Sequence, residues 1–184
     1  MEIQASRTRA RVGPRGEPIL LLNQDRTRWD HALIRRGLAA LERAEAIGGA
    51  YGPFTIQAAI AACHGRAHTA GETDWQRIAA LYDALAQLTP SPVIELNRAV
   101  AVSMAFGPAA GLELIDGLVG EGSLKNYHLL PSVRGDLLNK MGRLDEARVE
   151  FERAAALTQN TRERSLLLDR ARACIENPPS SRIQ

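Results

Sequence analysis

The stretch that most constrains this chain is residues 127–157, YHLLPSVRGDLLNKMGRLDEARVEFERAAAL. It reads as two helices that meet at Gly142-Arg143. The first carries Gly135, and the second carries Ala147, Phe151 and Ala154 at spacings that fall on one helical face. A small residue in one helix lets its neighbour approach closely, and an aromatic ring in the other fills the remaining space. One such pair cannot bury its own apolar face, so related pairs are expected alongside it.

An upstream copy can be found by shifting the register back 36 residues (135 minus 99). Gly135, Ala147, Phe151 and Ala154 then fall on Ala99, Gly111, Ile115 and Leu118, each small or apolar. The period is close to the roughly 34 residues of tetratricopeptide (TPR) repeats. Further back, Ile78, Tyr82 and Leu85 keep the second-helix spacing, although a longer loop breaks the strict period. The expected fold is all-α: a TPR-like right-handed α-solenoid of about eight helices in antiparallel pairs, preceded by an irregular N-terminal segment. Aromatic residues make up 4% of the chain, too few for a sheet built on aromatic cross-strand pairs.

Local signals place the elements. Residues 1–26 read as an N-terminal segment: the end of a truncated helix, a turn at Gly13-Pro14-Arg15-Gly16, and an extended stretch from Pro18 to Leu22. Within it Ile3 has no apolar partner close by in the sequence. The helical domain is expected over 27–176. Thr27-Arg28-Trp29-Asp30 has the form of a capping box opening a helix to about Ala46, with Trp29, Leu33, Gly37 and Leu41 in one stripe. Pro53 suits the first turn of an apolar helix reaching about His64. Thr73-Asp74-Trp75-Gln76 reads as a second capping box, Ser91-Pro92 as a cap followed by a first-turn proline, and Gly107-Pro108 as a restart. Asn160 and Glu163 cap a last helix, in which Leu166, Leu167, Leu168 and Ile175 suggest a terminal cap of the stack. Residues 177–184 are expected to be a disordered tail.

Composition narrows the function classes. The net charge is +2, which does not by itself call for a nucleic-acid partner. Arg7, Arg9, Arg11 and Arg15 form the one basic cluster, and they read as a solvated segment. There is no apolar run of membrane-spanning length, and Cys63 and Cys174 do not make a disulfide framework, so the expected compartment is the cytoplasm. Cys63, His64, His68 and Glu72 have a partial metal-ligand look, but Gly65 interrupts the spacing, and Cys63 reads as a small core residue. His128, Ser132 and Asp136 list a base, a nucleophile and an acid, without the turn or oxyanion hole that such chemistry needs. No catalytic residue, metal or cofactor is therefore predicted.

The polar residues that stand out are Glu95, Asn97, Arg98, Arg134 and Asp136, on the first helices of successive repeats. Stacking would bring them onto one inner wall, with Trp75 at the margin as an anchor for a partner segment. The competing expectation is that Arg98 and Arg134 make internal ion pairs with Glu95 and Asp136 between stacked units.

The strings LLLNQDRTRWDHALI, YGPFTIQAAIAACH, TDWQRIAALYDALAQLTPSPVIELNRAVAV and YHLLPSVRGDLLNKMGRLDEA resemble the long C-terminal extension of one group of bacterial extracytoplasmic-function (ECF) RNA polymerase sigma factors. The resemblance covers roughly residues 1–172, and SPVIELNRAVAV is its most specific stretch. It implies a regulatory domain whose partners are proteins: the sigma modules, core polymerase or a small regulator. The promoter-reading modules of that group are absent from this sequence, so no direct DNA binding is expected. The alternative is a free-standing TPR scaffold that binds an unrelated peptide.

Overall fold

The computed structural model describes residues 2–14, 16, 19–48 and 52–176. Among these the fold is all-α. The helices are α1 (Glu2–Ala5), α2 (His31–Ala46), α3 (Pro53–Arg66), α4 (Trp75–Leu88), α5 (Pro92–Phe106), α6 (Pro108–Glu121), α7 (Leu129–Lys140), α8 (Leu144–Leu157) and α9 (Thr161–Glu176). Three single 3-10 turns, Thr8–Ala10, Leu21–Asn23 and Arg26–Arg28, lie between α1 and α2. The chain divides into two compact units, residues 1–90 and 91–184.

In the second unit each helix packs on its neighbour in sequence, α5 on α6, α6 on α7, α7 on α8 and α8 on α9. This is the local pattern of stacked helix hairpins. Its core gathers Leu96, Ala99, Leu112, Ile115 and Leu118 with Leu130, Leu137, Leu138, Ala147, Phe151 and Ala154. All eight repeat positions are buried, Ala99, Ile115, Ala147 and Ala154 completely so. A Cβ placed on Gly135 would stand 2.8 Å from Cδ1 and from Cε1 of Phe151, so the ring occupies the space that a side chain at 135 would need. Gly111 has the same role in the preceding repeat, where a Cβ would meet the Ser103 Cβ at 2.5 Å and the Ala99 carbonyl at 2.8 Å. Gly142, at φ +76°, takes the left-handed turn between α7 and α8, and there the Arg143 amide donates to the Leu138 carbonyl at 3.0 Å.

The last helix differs from expectation. Its buried face is Leu167, Ala171 and Cys174, while Leu166, Leu168 and Ile175 are exposed. The run of three leucines cannot all face inward, because adjacent residues on a helix point about 100° apart.

The first unit packs α2 on α3, α3 on α4, and α1 against both α2 and α3. The N-terminal segment belongs to this unit, with Ile3, Ala10 and Arg26 buried. Ile3 finds its apolar surroundings at long range, in a slot left by two glycines. A Cβ on Gly37 would lie 2.5 Å from Ile3 Cγ1, and a Cβ on Gly65 3.1 Å from Ile3 Cγ2.

Several caps shift from their predicted residues. Asp30, not Thr27, caps α2, its carboxylate accepting from the Ala32 and Leu33 amides at 3.0 Å each. Thr27 instead lies in the 3-10 turn capped by Asp25. Asp74, not Thr73, caps α4 by accepting from the Arg77 amide at 2.9 Å. Ser91 makes no side-chain cap bond, and α5 relies on Pro92 in its first turn. Asn160 does cap α9, accepting from the Arg162 and Glu163 amides. The stretch expected to be extended is so at Leu20 and then turns 3-10. Arg15, Pro18, Gly49 and the tail at 177–184 lie outside the described residues.

The Gly135–Phe151 contact yields a stability test by urea melts. Phe151→Ala should cost about 3–5 kcal/mol, as expected for emptying a buried ring site. Gly135→Ala should cost about 1–3 kcal/mol by overpacking, and adding Phe151→Leu should recover some of that loss. Arg148→Ala removes one surface pair with Glu152 (2.9 Å) and should cost no more than about 0.5 kcal/mol.

Candidate interaction surface

Each site residue is placed within its own unit. Trp75 is the first residue of α4, directly after the Asp74 cap. It is half-buried, with its ring edge-on to His64 at 5.2 Å between centroids. Glu95, Asn97 and Arg98 lie on α5, and Arg134 and Asp136 on α7, all in the second unit.

On α5 Leu96, Ala99 and Ser103 are buried on one face, and Ala101, one turn beyond Asn97, is buried on another. Val93, 41% exposed, and Asn97, also exposed, lie one turn apart. Glu95 and Arg98 pair with each other at 3.0 Å within this helix. Phe106, at the end of α5, is 63% exposed.

On α7 the two charged residues diverge. Arg134 Nε donates to Asp116 on α6 at 2.8 Å, and its Nη1 donates to Glu150 on α8 at 2.9 Å. Asp136 pairs instead with Arg170 on α9. Residues two apart on a helix diverge by about 200°, and these two side chains run to different neighbouring helices. Glu150 is 8% exposed, and Arg134 is its main charge partner. Burial works against the Arg134 charge, but Asp116 and Glu150 outweigh it and hold its pKa above the ordinary value. Arg170 also lies over the Phe151 ring at 4.4 Å, which joins this ion-pair system to the repeat core.

The His128, Ser132 and Asp136 set does not converge. His128 Nε2 lies 3.4 Å from Glu163, while Asp136 is engaged by Arg170. His68 presents its backbone amide to Glu72 at 3.0 Å. His64 is turned inward against Trp75, and Cys63 and Cys174 are both buried.

Sequence reasoning missed Arg26. Its guanidinium is buried and donates to the His64 carbonyl at 2.8 Å, the Ala67 carbonyl at 2.9 Å and Thr73 Oγ1 at 2.9 Å. It thereby satisfies acceptors left open at the C-terminal end of α3 and fixes the loop before α4. The Trp29 ring lies beneath it at 4.9 Å, with Arg7 at 5.8 Å from the same ring. In the sequence Arg26 is one of many arginines; the nearby Trp29 is the available signal. Burial lowers the His64 pKa to about 4, and the charges of Arg7 and Arg26 add to the shift.

Residues 1–45 match a family of unknown function, DUF6596. The chain is 47% identical over 161 residues to an uncharacterized protein of Rhizobium meliloti (strain 1021), a match that covers 88% of this chain and 37% of that relative. The chain thus spans little more than a third of the length of the relative it resembles. No solved structure shows significant similarity to it.

Two measurements probe these contacts. Arg134→Ala should destabilise by about 1–3 kcal/mol by leaving Glu150 without its partner, and Arg134→Met with Glu150→Leu should recover most of that in urea melts. His64 has a folded pKa of about 4 against an ordinary value of 6.5, so the unfolded chain binds the extra proton first. Its stabilising contribution should be full above pH 6.5 and decline as pH falls towards 4, by roughly 2–3 kcal/mol. His64→Leu should flatten that region of the stability–pH curve; an unchanged slope would assign it to other groups.

Proposed function

We propose that this chain is the C-terminal regulatory protein-interaction domain of an ECF RNA polymerase sigma factor. It would act in the cytoplasm by contacting sigma modules, core polymerase or a small regulatory protein, and so set the rate of transcription initiation. The sequence resemblance supplies the identity of the system. The structural observation that carries the interaction role is α5, where Val93 and Asn97 stand exposed one turn apart and Glu95 and Arg98 form a pair on the same helix. This helix lies within SPVIELNRAVAV, the most specific stretch of the resemblance. A helix face with apolar and amide groups side by side suits a peptide segment, which needs both hydrophobic cover and hydrogen-bond partners.

The reading calls for binding without catalysis or cofactor, and for no promoter recognition by these residues. It is tested by measuring the affinity of the chain for sigma modules and for core polymerase by surface plasmon resonance. Asn97→Ala and Arg98→Ala are expected to weaken one of these complexes at least tenfold while thermal melting stays within a degree or two of wild type. Wild-type affinity in both variants, or unfolding of both, removes α5 as the contact surface. Sequence-selective promoter binding by the chain alone in a mobility-shift assay would contradict the assignment.

A further inference from the structure

Arg7, Arg9 and Arg11 read as solvated in the sequence, yet in the first unit they join Arg26 and Arg28 around the Trp29 turn. Arg26 and Arg7 lie 4.9 and 5.8 Å from the centre of the Trp29 ring. Arg9 and Arg28 line a pocket of about 360 Å³ together with Thr27, Trp29 and Asp30. The acceptors that hold these guanidiniums are neutral. Arg28 Nη2 donates to the Arg9 carbonyl at 2.9 Å, Arg11 Nη2 to the Gln4 carbonyl at 3.1 Å, and Arg7 to the Gln4 side chain. Arg26 uses two carbonyls and the Thr73 hydroxyl.

Positive charge is therefore gathered here without being cancelled. Burial, and then the like charges of Arg11 and Arg26, push the Arg7 pKa below its ordinary value. The carboxylates in reach are engaged by other donors. Asp25 accepts from the Thr27 amide and hydroxyl, Asp30 from the Ala32 and Leu33 amides, and Glu72 from the His68 amide. Five guanidiniums stand against three carboxylates, an excess of two positive charges. Two buried donors add to the imbalance. The indole N–H of Trp29, a residue 4% exposed, and Nε of Arg26, 8% exposed, have no acceptor among the described residues. A buried N–H without an acceptor is costly, and an anion is one of the groups that can relieve it.

We propose that the pocket beside Trp29 binds a phosphate group, free or as the monoester of a small molecule, between the guanidiniums of Arg9 and Arg28. Guanidinium forks match phosphate oxygens two at a time, and a dianion balances the excess of two charges where a carboxylate would balance one. Arg7 and Arg26 add to the positive potential from their places on the Trp29 ring. Asp30 also lines the pocket and opposes the ligand, but its charge is shared with the first amides of α2. Trp29 is too buried to stack on a base, so recognition rests on the charged group and not on a nucleobase. The site lies in the first unit and stands independently of the transcriptional reading above.

The test is thermal melting and nitrogen-15 NMR of the chain near neutral pH, with sodium phosphate or phenyl phosphate compared with sodium chloride at matched ionic strength. Phosphate is expected to raise the melting temperature saturably, by about 3 °C or more, as a ligand of the folded state does. The indole N–H signal of Trp29, assigned with the aid of Trp75→Phe, should shift with the same saturation while that of Trp75 stays in place. Arg9→Gln should weaken phosphate binding about tenfold and leave melting in chloride unchanged, and Arg28→Lys, which keeps the charge but not the fork, should weaken it as well. The tighter of the two phosphate probes identifies the source, a free ion or an ester. Three results would overturn the proposal: equal stabilisation by chloride, wild-type phosphate binding in both Arg9→Gln and Arg28→Lys, or saturable binding of mixed-sequence duplex DNA with no effect of either phosphate probe. The last would make an extended polyanion the ligand.

Discussion

Both units depend on backbones brought closer together than ordinary side chains allow. In the second, the Phe151 ring occupies the place of a missing side chain at Gly135, and Gly111 lets α6 lie against Ser103 and the Ala99 carbonyl. In the first, Ile3 uses the space left by Gly37 and Gly65. Each contact matches an absent side chain on one element with a residue on another. Such matches fix register as well as distance, because sliding a helix by one residue would set a Cβ where the glycine now lies. The alanine-rich helices then need few aromatics to close their cores.

The repeat register was legible because it rests on this steric rule. Gly135, Ala147, Phe151 and Ala154 could be aligned with Ala99, Gly111, Ile115 and Leu118 by size alone, and all eight positions lie in the core. Capping was less legible. Thr27-x-x-Asp30 and Thr73-x-x-Gln76 offer several candidate oxygens, and the choice between them turned on tertiary contacts. Arg26 claims Thr73, and the 3-10 turn takes Thr27, leaving Asp30 and Asp74 to cap the helices.

Charged partners were the least predictable feature. Arg134 and Asp136 stand two residues apart on α7, and helical geometry sends one towards α6 and α8 and the other towards α9. The proposed interaction residues consequently divide by environment. Glu95, Asn97 and Arg98 share one helix near the surface, Arg134 and Asp136 tie helices together, and Trp75 belongs to the other unit, against His64. Sequence spacing alone could not separate these roles, because the same residue types serve both purposes.

Arg26 has a consequence for the order in which the first unit comes apart. One side chain from a short turn holds the carbonyls of His64 and Ala67 and the hydroxyl of Thr73, three acceptors drawn from the end of one helix and the approach to the next. These segments are far from that turn in sequence, yet they cannot loosen one at a time without leaving buried acceptors or a buried guanidinium unmatched. A local opening that starts at the Trp29 turn would therefore spread at once to the end of α3 and the loop before α4. Together they form one cooperative folding element assembled from pieces distant along the chain.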